Sequence, residues 1–336
     1  MITVSIYCYP EREESKQVID IVKSLGEEIP SRVIIIDLNE DLGMAEYFQD
    51  QNPVVQAGPY RAKPPHKKMD IRVTLLAAAE RDEMNMNNPN YQANLSRGRS
   101  ITRSDRFNQW FSKRYPWLFS LVLLLYVGLA VLAPVMMNVG ANGAANVIYT
   151  VYKPFCHQLA FRSFFLFGEQ AYYPRELAGI EGILNYEDVV GETESSEAVL
   201  LAREFRGNDF MGYKVAICER CLAIYGAMFL FSVVYALSGN RIKAIPWYMW
   251  ILLGLGPIGL DGVSQLPGMV GINMPEWMII RESTPLFRAV TGTIFGIMTF
   301  WFLMPQVEDS MRETRVILSK KFAYVKALES EESLAE

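Results

Sequence analysis

The chain has 336 residues, a formal charge of −5 and a hydrophobic fraction of 51%, high for a wholly soluble protein and concentrated in its second half. Four cysteines in this length exclude a small disulfide scaffold. The basic residues cluster beside apolar segments rather than over one soluble face, which excludes a nucleic-acid partner.

Residues 1–82 alternate strand and helix signals. "ITVSIY" is rich in β-formers, and in the next segment Val18, Ile19, Val22 and Leu25 share one helical face. "RVIIID" is a continuous apolar run, as in a strand covered on both sides. "DLGMAEYF" suits a short helix, "PVVQA" a strand, Gly58-Pro59 a turn, and "MDIRVTLLAAAERDE" a closing helix. His66 in "KPPHKK" sits in a solvated basic stretch with no expected partner. The first residues lack the basic-then-apolar order of a secretory signal, so this part is expected to stay in the cytoplasm.

The β-α-β-α-β-(β)-α order resembles the thioredoxin fold, in particular its glutaredoxin-like branch, over about a quarter of the chain. The resemblance implies a cysteine pair after the first strand and a cis-proline before the third. Pro53 fits the proline position, whereas "YPEREES" stands where the cysteine pair belongs and Cys8 falls too early, at the strand end. The expectation is a redox-inactive thioredoxin-like module, able to dock a protein partner.

Residues 83–104 are poor in apolar side chains and rich in Asn and Ser, as in a linker. "RFNQWFSKRYPW" then mixes Arg106, Lys113 and Arg114 with Trp110, Phe111 and Tyr115, the composition of a headgroup-level helix on the cytoplasmic side. From Trp117 to Asn138 the chain carries no charge and is long enough to cross a hydrocarbon core of roughly 30 Å. The next stretch, interrupted by Lys153, Pro154, His157 and Arg162, suits an interfacial or bundle-packed segment. Residues 169–210 are acidic and polar, as in an outer loop or small helical insertion.

Further spans are expected near Val215–Leu237, Trp247–Gln265 and Leu286–Met304. The basic "NRIK" loop and Arg312, Arg315, Lys320 and Lys321 place both chain ends inside, in the plasma membrane. The fold class expected is an α/β thioredoxin-like domain joined to an all-α four-helix transmembrane bundle. Its parts are domain 1–82, linker 83–104, membrane domain 105–310 and cytoplasmic tail 311–336.

With that topology the polar residues converge on the outer end of the bundle. Cys156, His157 and Arg162 follow the first span, Cys218 and Cys221 open the second, Asp261 and Gln265 end the third, and Arg281, Glu282 and Ser283 precede the fourth. Charges in a membrane helix cost about 3 kcal/mol or more and must face protein or water. Asp261 and Arg288 are the natural pair, and the glycines around Asp261 predict an irregular third helix.

Three thiols and an imidazole, Cys156, His157, Cys218 and Cys221, form a set suited to tetrahedral zinc and also to iron or copper. A second reading is thiol-disulfide exchange at Cys218 and Cys221 linked to a quinone; the group of vitamin K epoxide reductases is similar in this respect. A third is a small ion transporter or sensor that oligomerises and uses Asp261, Arg281, Glu282 and Arg288, the same residues that are the candidates for any catalysis.

The ordered motifs "CHQ", "RSF", "CERCLAIYG", "DGVSQ" and "REST", with Arg288 and Gly292 beyond, resemble those of an uncharacterised bacterial and archaeal family of predicted membrane proteins. The resemblance spans about residues 150–300 and implies no activity. Pro285 stands where that pattern commonly has an asparagine.

Overall fold

The computed structural model describes residues 2–39, 42–49, 51–89, 98, 100–191, 196–265 and 282–335. They divide into two units, residues 1–114 with 309–336, and residues 115–308.

The first unit is built on a sheet of order β2-β1-β3-β4, from β1 (Ile2–Cys8), β2 (Ser31–Asp37), β3 (Val54–Ala57) and β4 (Tyr60–Ala62). β1 runs parallel to β2 and antiparallel to β3, and β3 pairs antiparallel with β4 through the turn at Gly58, whose φ is 57°. Strand alternation sends Val4, Ile6 and Cys8 to one face, where they pack on Val18, Val22 and Leu25 of α1 (Glu13–Gly26) and Ile71 and Leu75 of α3 (Lys68–Asn85). Tyr7, Ile34, Ile36 and Val54 face the other way, toward Met44 of the six-residue α2 (Leu42–Tyr47) and Phe48.

β2 is an edge strand: Ile34 and Ile36 are buried but Ile35 is exposed, so it is not covered on both sides as the apolar run suggested. His66 also departs from expectation, since its Nε2 lies 2.5 Å from the Pro53 carbonyl oxygen. The Asn52–Pro53 peptide is cis.

So short an α2 leaves much of the second face open. The end of the last helix, which the sequence presented as a tail, supplies Ala323 and Tyr324 to that cluster. Lys320 of the same segment sets its ammonium over the rings of Tyr7 and Phe48, each 4.9 Å away, and of Tyr47 at 5.6 Å.

The second unit contains the apolar helices. Among the described residues three are long and apolar enough to cross a membrane: α4 (Arg103–Asn138), α8 (Glu219–Leu237) and the stretch Pro285–Lys326 of α10 (Pro285–Ala335). The third expected span, Trp247–Gln265, is a shorter helix, α9 (Trp247–Val263), with a π-helical segment over Trp250–Leu255 just before Pro257. Large apolar side chains stay exposed along these helices, among them Leu125 and Leu129, Leu230 and Val234, Leu252 and Leu260, and Leu286 and Val290. Such a surface suits lipid rather than water.

Between α4 and α8 lie α5 (Asn142–Tyr152) and a small polar insertion. The insertion is more than loop and helix: its strands β5 (Phe165–Leu166), β6 (Gly207–Asn208) and β7 (Gly212–Lys214) form an antiparallel sheet of order β5-β7-β6. The helices α6 (Tyr186–Val190) and α7 (Ser196–Glu204) accompany it, around Phe161, Phe165, Tyr173 and Tyr186.

Two contacts fix the helices that matter for the site. Gly292 and Gly296 of α10 allow α8 to approach so closely that a Cβ on Gly292 would stand 2.8 Å from the Arg220 carbonyl oxygen, and one on Gly296 closer still to that of Ile224. This is the small-xxx-small packing of membrane helices. Pro134, inside α4, has no N–H to offer the carbonyl four residues back, and that carbonyl, Ala130 O, instead accepts the Ala216 N–H at 3.1 Å. The chain entering α8 is thereby pinned to the interior of α4.

Candidate metal centre

Cys156 lies just past α5, where Pro154 interrupts the helix and the Cys156 N–H still bonds the Tyr152 carbonyl at 3.0 Å. Two residues on, Gln158 adopts a φ of 54° and its buried amide donates to the carbonyls of Tyr149 at 2.9 Å and Ala216 at 2.8 Å. The buried ammonium of Lys214 returns the tie, donating to Gln158 O at 2.6 Å and Arg203 O at 2.7 Å. Burial pushes this lysine down to about 7. The segment carrying Cys156 is thus clamped to the one that leads into Cys218.

Cys218 is the N-cap residue of α8, and its N–H donates to the Cys156 sulfur at 3.2 Å. Cys221 follows one turn later. The three sulfurs all lie within 4.8 Å of one another, although Cys156 comes from a different segment. Hydrogen bonds from the Cys218 and Cys221 thiols, helped by the amides of Gln158 and Cys218, pull Cys156 down to about 3. The reciprocal bond to Cys156 pushes Cys218 up to about 11. Thiols this close titrate as one set, and a cation that replaced their protons would let all three sulfurs ionise.

His157 does not join them. It is exposed while Cys156 before it and Gln158 after it are buried. The expected Cys₃His set is a Cys₃ set.

The charged residues form two groups. Arg162, in the 3-10 turn Ala160–Arg162, makes a two-pronged bond to Glu282, with both N···O distances 2.7 Å. Arg288 of α10 bonds the same Glu282 and reaches Glu219 at 3.3 Å. All but Arg162 of this chain are under 10% exposed. Burial alone would raise the Glu282 carboxyl, but Arg162 and Arg288 outweigh it and hold it below its usual value.

The second group is Asp261 with Arg220, and Gln265 Nε2 donates to the Asp261 carbonyl at 2.6 Å. The expected Asp261–Arg288 pair is therefore not formed: each takes a partner from the first turn of α8 or from the segment before α10. Arg281 lies outside the described residues.

Three contributors escaped the sequence reading. Glu219 enters the sequence reading only within "CERCLAIYG", and its charge beside Arg220 at the head of an apolar run was the available signal. Pro134 in an uncharged run was another, because a proline there releases a carbonyl. Lys214 gave none.

Residues 203–302 match the model of a family described as Predicted membrane protein (DUF2085). That stretch carries Cys218, Cys221, Asp261, Glu282 and Arg288 but not Cys156 or Arg162. The Uncharacterized protein MJ1492 of Methanocaldococcus jannaschii is 23% identical over 199 residues, 57% of this chain and 92% of that protein. No solved structure matches the chain. The class so defined is that of predicted membrane proteins, to which this chain is similar in its C-terminal part. The chain itself carries a cluster of three cysteines that could hold a metal ion.

Proposed function

We propose that the protein is a multi-pass plasma-membrane protein whose Cys156, Cys218 and Cys221 bind a metal ion, zinc or iron, at the head of α8. The observation that carries this reading is the convergence of three thiols within 4.8 Å from two segments clamped by Gln158 and Lys214. Soft, buried sulfur donors favour a thiophilic ion over magnesium or calcium. The buried Arg/Glu chain is a positioning device, tying the residues after Cys156 and the start of α10 to the first turn of α8.

The N-terminal unit serves as a thioredoxin-like docking module without a cysteine pair, with both chain ends on the cytoplasmic side. Support for this part is the β2-β1-β3-β4 order with a parallel β1–β2 pair.

One observation favours a second reading, thiol-disulfide exchange with a quinone as electron acceptor: the Cys156 sulfur accepts the Cys218 N–H at 3.2 Å and so stands directly beside the Cys218-x-x-Cys221 pair. Elemental analysis and thiol titration of the detergent-purified chain separate the two. Stoichiometric metal that disappears in the Cys218→Ser, Cys221→Ser double variant supports the metal site. Metal-free protein in which two thiols are lost and recovered reversibly on oxidation and reduction supports the exchange reading instead.

A further inference from the structure

A closed tetrahedral site needs a fourth donor, and the chain has few to give. Beyond the trio it holds one cysteine and two histidines. Cys8 is buried in the core of the N-terminal sheet, His66 bonds the Pro53 carbonyl and His157 is exposed. Residues 266–281 contain neither type. The nearby carboxylates of Glu219, Glu282 and Asp261 each face an arginine.

What surrounds the trio instead is a set of tyrosines. Tyr126 stands one helical turn before Ala130 on the same face of α4, and Ala130 is the residue bonded to Ala216, two positions before Cys218. Tyr126 packs in the same apolar cluster as all three cysteines. Its ring centroid is 5.0 Å from that of Tyr152 and 4.6 Å from that of Tyr225, the residue one turn beyond Cys221.

Tyr152 is committed, since its hydroxyl donates to the Tyr126 carbonyl at 2.5 Å. The Tyr126 hydroxyl is buried and makes no hydrogen bond. Tyr225 lies close to it without the geometry of one. The Tyr126 side chain packs in the cluster of the three cysteines, yet its hydroxyl bonds none of their sulfurs. A buried phenol with an unsatisfied O–H is costly unless something arrives to accept it.

We propose that the metal's fourth position is open and takes an exchangeable small ligand, a water or a small anion, which accepts a hydrogen bond from the Tyr126 hydroxyl. This inference rests on the metal reading above. It assigns the centre to the three-ligand, open type that binds and activates a small molecule, rather than the closed structural type. Tyr126 is a positioning residue for that ligand.

The test is azide titration of the full-length chain loaded with cobalt(II) in detergent, followed through the visible ligand-field bands and the sulfur-to-cobalt charge-transfer band. Azide is expected to shift the ligand-field bands saturably. Tyr126→Phe should keep the charge-transfer band and weaken azide binding about fivefold, the loss of one neutral hydrogen bond. Tyr225→Phe should titrate like the parent. A parent spectrum indifferent to azide overturns the open position, and equal azide affinity in parent and Tyr126→Phe overturns the role of Tyr126. Absence of any sulfur-to-cobalt band in the parent overturns the metal reading itself, and the proposal with it.

Discussion

Cys8 and Cys156 are both buried, yet their surroundings drive them in opposite directions. Cys8 ends β1 among Val18, Val22 and Ile71, and burial pushes its thiol up. Cys156 meets two further thiols and two amides, and is pulled down to about 3. Burial alone makes a cysteine an inert packing residue; burial with donors makes it a ligand or nucleophile. The same contrast holds for the two units at large. The N-terminal unit is held by apolar faces of a sheet, whereas the second buries Arg288, three carboxylates and Lys214.

The largest expected effect lies in that buried charge chain. Arg288→Ala leaves Glu219 and Glu282 without their shared partner, and removing one member of a buried pair costs about 3–5 kcal/mol. Thermal unfolding in detergent should show the variant strongly destabilised or not recovered folded. An exposed pair in the N-terminal unit, Arg72–Glu28, should by contrast tolerate Arg72→Ala with little change in melting temperature. Similar costs for the two would break the contrast.

Acid should act next. The Glu282 carboxyl is lowered in the folded protein, so its contribution is complete above the unfolded value of about 4.3 and is lost as pH falls through the lower folded value. Melting temperature should therefore drop on acidification below about pH 4. Glu282→Gln should start from a lower stability and lose less over the same range. Parallel acid profiles for parent and variant would remove Glu282 from the account.

The smallest effect is expected at Cys8. Cys8→Ala should cost about 1 kcal/mol of stability through the lost packing and leave the metal content unchanged. Loss of metal in this variant would erase the distinction between the two cysteine environments.

The long features of both units were legible in the sequence. The strand–helix alternation of the first 82 residues and the uncharged run from Trp117 to Asn138 have periods and lengths that allow few alternatives. The meeting of Cys156 with Cys218 and Cys221 was legible too, because topology alone brings their segments to one end of the bundle.

What failed depended on side-chain direction and helix rotation. His157 shares a peptide bond with Cys156 but is exposed, and Asp261 found Arg220 rather than Arg288 because the close α8–α10 contact at Gly292 and Gly296 was not visible in the charges. The two- and three-residue strands of the insertion are too short to carry an alternation. The docking of Ala323 and Tyr324 on the sheet was hidden because residues 311–336 look like a charged tail, with the apolar positions spaced out among lysines and glutamates.

The most direct test of the three-thiolate centre is X-ray absorption at the metal edge of the purified chain. The account predicts about three sulfur neighbours at roughly 2.3 Å and one lighter atom near 2.0 Å, the distances of thiolate and oxygen donors on a four-coordinate ion. A shell with no sulfur, or with only the two sulfurs that Cys218 and Cys221 could supply without Cys156, would contradict it.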